Sequence, residues 1–481
     1  MLSSYKVGGT VTGLGASQVV LAISGGASAT VNVATDGAFT FPTGLGTGQS
    51  YAVAVQTQPS GEVCGVINAS GTTGTSDVTN VTVRCSSDTG FLYGLANNQI
   101  YSYSTDPNTG APTAFGAPLA VNSTGTSTPA MLWSRLTASP AGDYLYVDGS
   151  TNDGNANGSV LVYAVDRTNG ALTQVGAPVA TGVEAGVVAV SSNGFVFVYV
   201  ANGAVIGHPG VPAGTASLQE YAIHSDGTLG LVGAALTFPP LNGAPAETNV
   251  AVTPDGRFIY VLSNSASVAT SGVLTLSAYA IDSSTGALTA GPAMTLSAAD
   301  IRLVMDPLGR FLYFTNYTGS TFSAATVVMP YSIDSSTGAL TAVGTGTPVA
   351  SNAGLLAPEP FGNYLYVGNN LNFSPAQDAV QALSVDPTGV VSTDGSIMQT
   401  TPSGAQPMQL VCDTSGRFVY MVSSDQQNSN GTLVNSQLIT TFSISTAAGT
   451  AGQLISNTAP LSSQGNSSPV IAYVPGVPNG G

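Results

Sequence analysis

Apolar and polar residues alternate with a period of two along most of the chain, in short runs separated by Gly, Pro, Asn and Asp. That pattern predicts half-buried strands joined by tight turns. Residues 256–264, "GRFIYVLSN", set aromatic and β-branched positions behind a Gly turn, a strand signal. "LSAYAID" (276–282) is the next alternating strand. "DSSTGAL" (282–288) reads as the hairpin loop between strands: Asp and Ser side chains cap the turn, and Gly286 supplies the positive φ that closes it. "ALTAVG" in the following copy opens a further strand, and "ETNVAVTPDG" (247–256) supplies one before the Gly turn. The predicted unit is four antiparallel strands.

The unit recurs. "YAIDSSTGALT" (279–289) returns as "YSIDSSTGALT" (331–341) with one letter changed, and looser copies place the leading aromatic or its substitute at Tyr103, Tyr163, Tyr221, Tyr279, Tyr331, Leu383 and Phe442. Each is preceded by a Gly-turn strand: "DTGFLYG", "PAGDYLYV", "SSNGFVFV", "PDGRFIYV", "PLGRFLYF", "PFGNYLYV" and "TSGRFVYM". Seven four-stranded units, each roughly 50 to 60 residues long, predict an all-β chain folded as a seven-bladed β-propeller, since no single unit buries both faces of its own sheet. The first unit lacks an innermost strand, and the chain ends on a surplus one, "SSPVIAYVPG". Residues near 469–474 are therefore expected to complete the first blade and latch the ring. Upstream, "YKVGGTVTGL", "QVVLAIS", "ATVNVATDGAFTFPT", "SYAVAVQTQPSG" and "VTNVTVRC" read as the strands of a small β-sandwich. The expected division is residues 1–86 for this domain and 87–481 for the propeller.

Composition narrows the setting. The chain has 481 residues, 43% hydrophobic, enough for a real core, yet only 7% are charged, against roughly 25% in an average soluble domain. Gly, Ser, Thr, Ala and Asn cover the surface instead, which suits an extracellular or cell-envelope protein. With 24 acidic residues against 8 Lys and Arg, the net charge is −16 and no cationic cluster exists to bind phosphates. Nucleic acid and anionic bilayers are poor partners, and no apolar run reaches the roughly 18 residues of a membrane span. The opening "MLSSYKVGGTVTG" lacks the charged start and apolar stretch of a signal peptide. Cys64 and Cys85, both on late strands of the small domain, are read as a disulfide made in an oxidising compartment, two buried free thiols being the other arrangement. Cys412 is left over and is expected to pack as a small hydrophobe.

The "PDGRFLYV"-like and "YxIDxxTGxL" repeats resemble those of the bacterial lactonase-type propellers (YVTN-type repeats), over about residues 90–475. The front domain is similar to the Gly-rich immunoglobulin- or transthyretin-like sandwich modules that precede such propellers, with "YKVGGTVTGL", "GAFTFP" and paired Cys. The resemblance implies a seven-bladed fold and, in some members, lactone hydrolysis or cyclisation. It also implies a His on the inner strands, at positions occupied here by Ser134, Gly186, Thr248, Ile301, Gly354, Met408 and Ser468, none of which is a general base.

Candidate chemistry concentrates on the predicted inner strands. Seven residues before the Gly that ends each of them stand Arg135, Val187, Asn249, Arg302, Leu355 and Gln409, with Pro469 on the closing strand. Arg135, Asn249, Arg302 and Gln409 form the candidate binding column for an anion or carbonyl, against a plain role in lining a polar channel. Glu184, Glu247 and Asp300 lie near the same strands. The candidate catalytic set is Arg135, Arg302 and Glu247. Arg257, Arg310 and Arg417 belong to the repeated "GRF" and are read as architectural. His224 sits in a hairpin loop and His208 in the insertion that lengthens the third repeat. "DGNANG" (153–158) starts like a calcium loop through Asp153, Asn155 and Asn157, but Ala164 occupies the twelfth position, where the loop needs Glu. A turn is the plainer account, and no cofactor is expected.

The missing His, the near-absence of charge and the Gly-rich front domain favour a non-enzymatic exported protein. Its propeller would be the rigid body of a surface, matrix or filament subunit, and self-association would run through the N-terminal domain or the segment "MLSSYKVGG". The alternatives are a 6-phosphogluconolactonase-like hydrolase, with Arg135 and Arg302 holding an anionic substrate and Glu247 assisting a water, or a ligand-binding propeller without turnover.

Overall fold

In the computed structural model of the chain, the described residues are 4–477 apart from 16, 88, 122–130, 152–156, 184, 202–215, 239–249, 265–272, 298–301, 318–325, 350–352, 370–378, 400–404, 430–431, 447–449, 457–460 and 464–469. All regular structure among them is β. Two four-stranded sheets come first: Gly37–Thr40, Val7–Thr12, Val78–Ser87 and Glu62–Ile67 in one, and Ala29–Val33, Val19–Gly25, Ser50–Thr57 and Ser70–Thr72 in the other. Alternate residues of both, including Val7, Val11, Leu21, Ile23, Phe39, Tyr51, Val53, Val81 and Val83, meet in a common core. Cys64 and Cys85 stand directly opposite on neighbouring strands and form the disulfide.

Seven further sheets follow among the described residues, each a meander of consecutive strands. The second, for example, runs Met131–Ala138, Tyr144–Thr151, Asn157–Asp166 and Ala171–Val183. The first is the exception. Its chain-order strands Gly90–Ala96, Gln99–Thr105 and Pro112–Ala120 are completed by Val470–Pro475, which pairs antiparallel with Gly90–Ala96 from Gly90↔Pro475 to Leu95↔Val470. The hydrophobic clusters show how the sheets sit together. One joins the first and second sheets, others join the second to the third, third to fourth, fourth to fifth, fifth to sixth and sixth to seventh. A last cluster, with Leu92, Tyr103, Tyr420, Val422, Ile471 and Tyr473, joins the seventh to the first. The sheets therefore close into a ring, and alternate faces of every sheet are buried against a neighbour. The fold is a β-propeller.

The repeated motifs acquire structural meaning here. In the two near-identical hairpins, one oxygen of Asp282 accepts the N–H groups of Ser284 and Thr285, and Asp334 does the same for Ser336 and Thr337. Gly286 and Gly338 take φ of +79° and +71°, which only glycine adopts without strain. The carbonyl of this turn glycine is then used by the preceding sheet. Tyr260 of the fourth sheet donates its hydroxyl to Gly338 of the fifth, Tyr366 of the sixth to Gly452 of the seventh, Tyr93 of the first to Gly170 of the second, and Tyr420 of the seventh to Gly110 of the first. Where Phe197 replaces this tyrosine, its cross-strand partner Glu220 brings its carboxyl against Gly286, with burial pushing that carboxyl up to about 7.

A second column caps the Gly turns. Ser139, Ser191 and Thr253 accept the backbone N–H of Tyr144, Phe195 and Phe258 through their hydroxyls. Asp306, Glu359 and Asp413 do the equivalent in the last three sheets with carboxylates. Over those three sheets the front sheets dock: Arg84 donates to the Pro307 carbonyl, Gly65 lies against the Phe361 ring, and Ser86 donates to the Thr414 carbonyl.

Candidate active site

The innermost strands carry the candidate column, and each described member has a defined partner on the second strand of its own sheet. Arg135 faces Asp148, Val187 faces Tyr199, Arg302 faces Thr315, Leu355 faces Gly368 and Gln409 faces Val422. Asn249 and Glu247, with Glu184, Asp300, Pro469, His208, Asp153 and Asn155, lie outside the described residues, as does the side chain of Asn157. Among the described residues no group of three or more His, Cys, Asp or Glu gathers as a metal site.

The described members differ in what they do. The side-chain oxygen of Gln409 accepts the backbone N–H of Ile471 at 2.7 Å. Gln409 is thus engaged in holding the last strand of the chain to the seventh sheet, an architectural task. Arg302 is partly exposed and donates its backbone N–H to the Thr315 hydroxyl at 3.2 Å. Arg135 is partly exposed too, but its Nη1 is buried without a hydrogen-bond partner.

Opposite Arg135, Asp148 is fully buried and neither of its carboxylate oxygens has a hydrogen-bond partner. Burial pushes this carboxyl up to about 7, and the positive charge of Arg135 acts the other way. A buried carboxyl with a raised pKa, facing a guanidinium across the first two strands of the sheet, is an arrangement suited to proton handling and to anion recognition. Sequence reasoning missed Asp148. The signal was present: in the matching position of the other second strands stand Leu95, Tyr199, Leu262, Thr315, Gly368 and Val422, so Asp148 is the one ionisable carboxyl in an otherwise uncharged column.

The remaining candidates fall where the repeat puts them. The guanidinium groups of Arg257, Arg310 and Arg417 lie over the rings of Phe258, Phe311 and Phe418 at 5.4, 5.1 and 5.2 Å, and Arg310 also pairs with Asp306 at 3.0 Å. They brace the Gly turns. His224 is exposed in a hairpin turn beside Thr228. The Cys412 thiol faces the Ala357 carbonyl, and burial drives its pKa up, away from the reactive thiolate.

No family model matches the chain, and no curated protein sequence matches it. Solved structures do. A candidate 6-phosphogluconolactonase from Bacteroides uniformis aligns over 80% of this chain and 99% of its own, with 18% identity and a TM-score of 0.56. A second, from Bacteroides fragilis, covers 80% and 98% at 18% identity and 0.56. The periplasmic gluconolactonase PpgL of Pseudomonas aeruginosa covers 80% and 99% at 20% identity and 0.54. Likeness at this identity establishes the shared β-propeller. It also corrects the leading functional expectation. The sequence points to a non-enzymatic surface, matrix or filament subunit, whereas these three structures, which share its fold over four fifths of its length, are described as lactonases.

Proposed function

We propose that the chain is an exported lactone hydrolase: a seven-bladed propeller, residues 87–481, closed by its C-terminal strand and carrying a β-sandwich domain in residues 1–86. The observation that carries this reading is the pairing of an arginine with a buried carboxyl on the inner strands of a lactonase-like propeller. The disulfide and the periplasmic location named for one of the similar proteins support export.

Hydrolysis of a lactone adds water across the ring ester, with negative charge developing on the carbonyl oxygen as the water attacks and on the ring oxygen as it leaves. Arg135 and Arg302 are proposed to hold an anionic sugar lactone and to stabilise the developing oxyanion. A fixed donor aimed at an oxyanion supplies typically about 10²–10³ in rate. Glu247 remains the proposed partner of the attacking water.

The test is a panel of sugar lactones, including glucono-δ-lactone and its 6-phosphate, followed against spontaneous opening. The expected outcome is acceleration by the native chain, with kcat reduced about 100-fold in Arg135→Gln and Arg302→Gln. Absence of acceleration across the panel overturns the hydrolase reading; full activity in both variants removes the reaction from these residues.

A further inference from the structure

Among the described residues, Asp148 is the buried carboxyl with both oxygens lacking a hydrogen-bond partner, and it stands opposite Arg135. They are register partners, so their side chains leave the same face of the second sheet. That face packs on the third sheet: Thr137 donates to the Val188 carbonyl, and Val160, the other register partner of Asp148, sits in one cluster with Val188, Val196 and Val198. Two carboxylate oxygens and one guanidinium nitrogen are thereby buried together with no hydrogen-bond partner. Orphaned polar atoms at this density are rare in folded proteins, because each costs about 1–3 kcal/mol, more when charged. The buried carboxyls of the turn-capping column, Asp306, Glu359 and Asp413, satisfy themselves on backbone N–H groups of their turns, whereas Asp148 caps no turn and both its oxygens stand without a hydrogen-bond partner.

We propose that Arg135 is the docking group for a hydroxycarboxylate anion and that Asp148 is its proton-linked positioning residue. Arg135 is the member of the pair that reaches the surface, so it touches the ligand. Asp148 is fully buried and acts through Arg135. When Asp148 is ionised, it competes with the ligand for the guanidinium; when it is protonated, the guanidinium is released to the incoming carboxylate. Binding therefore takes up one proton at Asp148 wherever that carboxyl is ionised in the free chain. The chemistry requires that no other charge control the carboxyl, and among the described residues packed against it none does. From Met131–Ala138 the charged group is Arg135; Ser159, Val160 and Leu161 on Asn157–Asp166 are uncharged; Ala185–Val190 contains only Ala, Gly and Val. Tyr146, on the same strand and face, is held neutral by burial. Burial pushes the carboxyl up to about 7, which sets the switch near neutrality.

The hydroxycarboxylate is the product class of the lactone hydrolase proposed above, and the choice of ligand rests on that reading; the proton linkage does not. The experiment is isothermal titration of the full chain with D-gluconate at pH 6 and pH 8, in two buffers of different ionisation enthalpy. Proton uptake at a group with a pKa near 7 predicts about tenfold weaker binding at pH 8, with close to one proton taken up per anion at pH 8 and only about a tenth of one at pH 6. Asp148→Asn should bind with a pH-independent affinity, and Arg135→Gln should lose binding at both pH values. Equal wild-type affinity at the two pH values, or no gluconate binding, overturns the proposal without recourse to any variant. Unchanged pH dependence in Asp148→Asn also overturns it. Proton-linked binding in a chain that opens no lactone would leave this site standing and sink the hydrolase. Lactone hydrolysis without the linkage would do the reverse.

Discussion

Removing the last strand is the sharpest test of how the ring is held. In Val470–Pro475, Ile471, Ala472, Tyr473 and Val474 are each 8% exposed or less. Ile471 and Tyr473 face the seventh sheet, where Tyr473 stacks on Tyr420 with centroids 6.0 Å apart; Ala472 and Val474 face the second. Burying a large apolar side chain is worth about 1.5–3 kcal/mol, so three of them and one alanine give about 6 kcal/mol after allowing for a compact denatured chain. The bond from Ile471 to Gln409 and the ladder to Gly90–Leu95 are lost as well. Against a typical total of 5–15 kcal/mol, a chain ending at residue 469 should be barely folded. Urea unfolding followed by circular dichroism should show its midpoint lowered by about 2 M or more. A synthetic peptide of residues 467–477, added in excess, should recover part of that loss. A truncated chain with the midpoint of the full one would refute the reasoning.

Two further outcomes follow from the buried carboxyls and the turn glycines. Asp148 and Glu359 are both pushed up to about 7, above ordinary carboxyl values near 4. Between about pH 4 and 7 the folded state therefore holds protons that the unfolded chain has lost, so stability falls as pH rises through this window and levels off above 7. For Glu359 alone the change is about 3 kcal/mol at most. The urea midpoint should be higher at pH 5 than at pH 8, with Asp148→Asn reducing the difference; a midpoint rising across that range would be the wrong sign. The turn carboxylates Asp282 and Asp334, held well below their usual range by Ser and Thr donors, act oppositely, and their contribution is lost as pH falls below about 4. Gly338→Ala should cost about 1–2 kcal/mol for the left-handed backbone, and more because its Cβ would lie 2.7 Å from the Phe258 ring. Tyr260→Phe should cost about 1 kcal/mol. Because both changes strike one contact, thermal melts of the double variant should show less than their sum.

The strand pattern was legible because sheet packing writes itself into sequence with a period of two. Residues such as Phe258, Tyr260 and Leu262 face one neighbouring sheet, while Ile259 and Val261 face the other. The hairpin chemistry of Asp282 and Gly286 was legible for the same local reason. The binding column was only half so. Arg135 and Arg302 stand out by rarity of charge, yet Gln409, equally polar, turns out to be engaged with Ile471, a partner 62 residues away that spacing alone does not reveal. Asp148 is not legible as a site residue because it follows "YLYV" on the second strand, whereas the candidate column lies on the first. Only the register that sets it across from Arg135 gives it meaning. The functional expectation failed on different grounds: low charge and a missing His say what the surface and one mechanism lack, and neither bears on what a differently equipped channel can do.

The tyrosine-to-glycine bonds carry a consequence for how such a ring can change over evolutionary time. In the pairs that form it, the donor belongs to one sheet and the acceptor to the hairpin of the next, and Tyr420 hands on to Gly110 across the seam as Tyr260 does to Gly338. A duplicated copy of the repeat therefore arrives with a plug for its successor and a socket for its predecessor. Copying a unit, as the near-identical hairpins at 279–289 and 331–341 record, demands no new interface. Divergence is then left to positions the couplings do not use, and the innermost strands are among them.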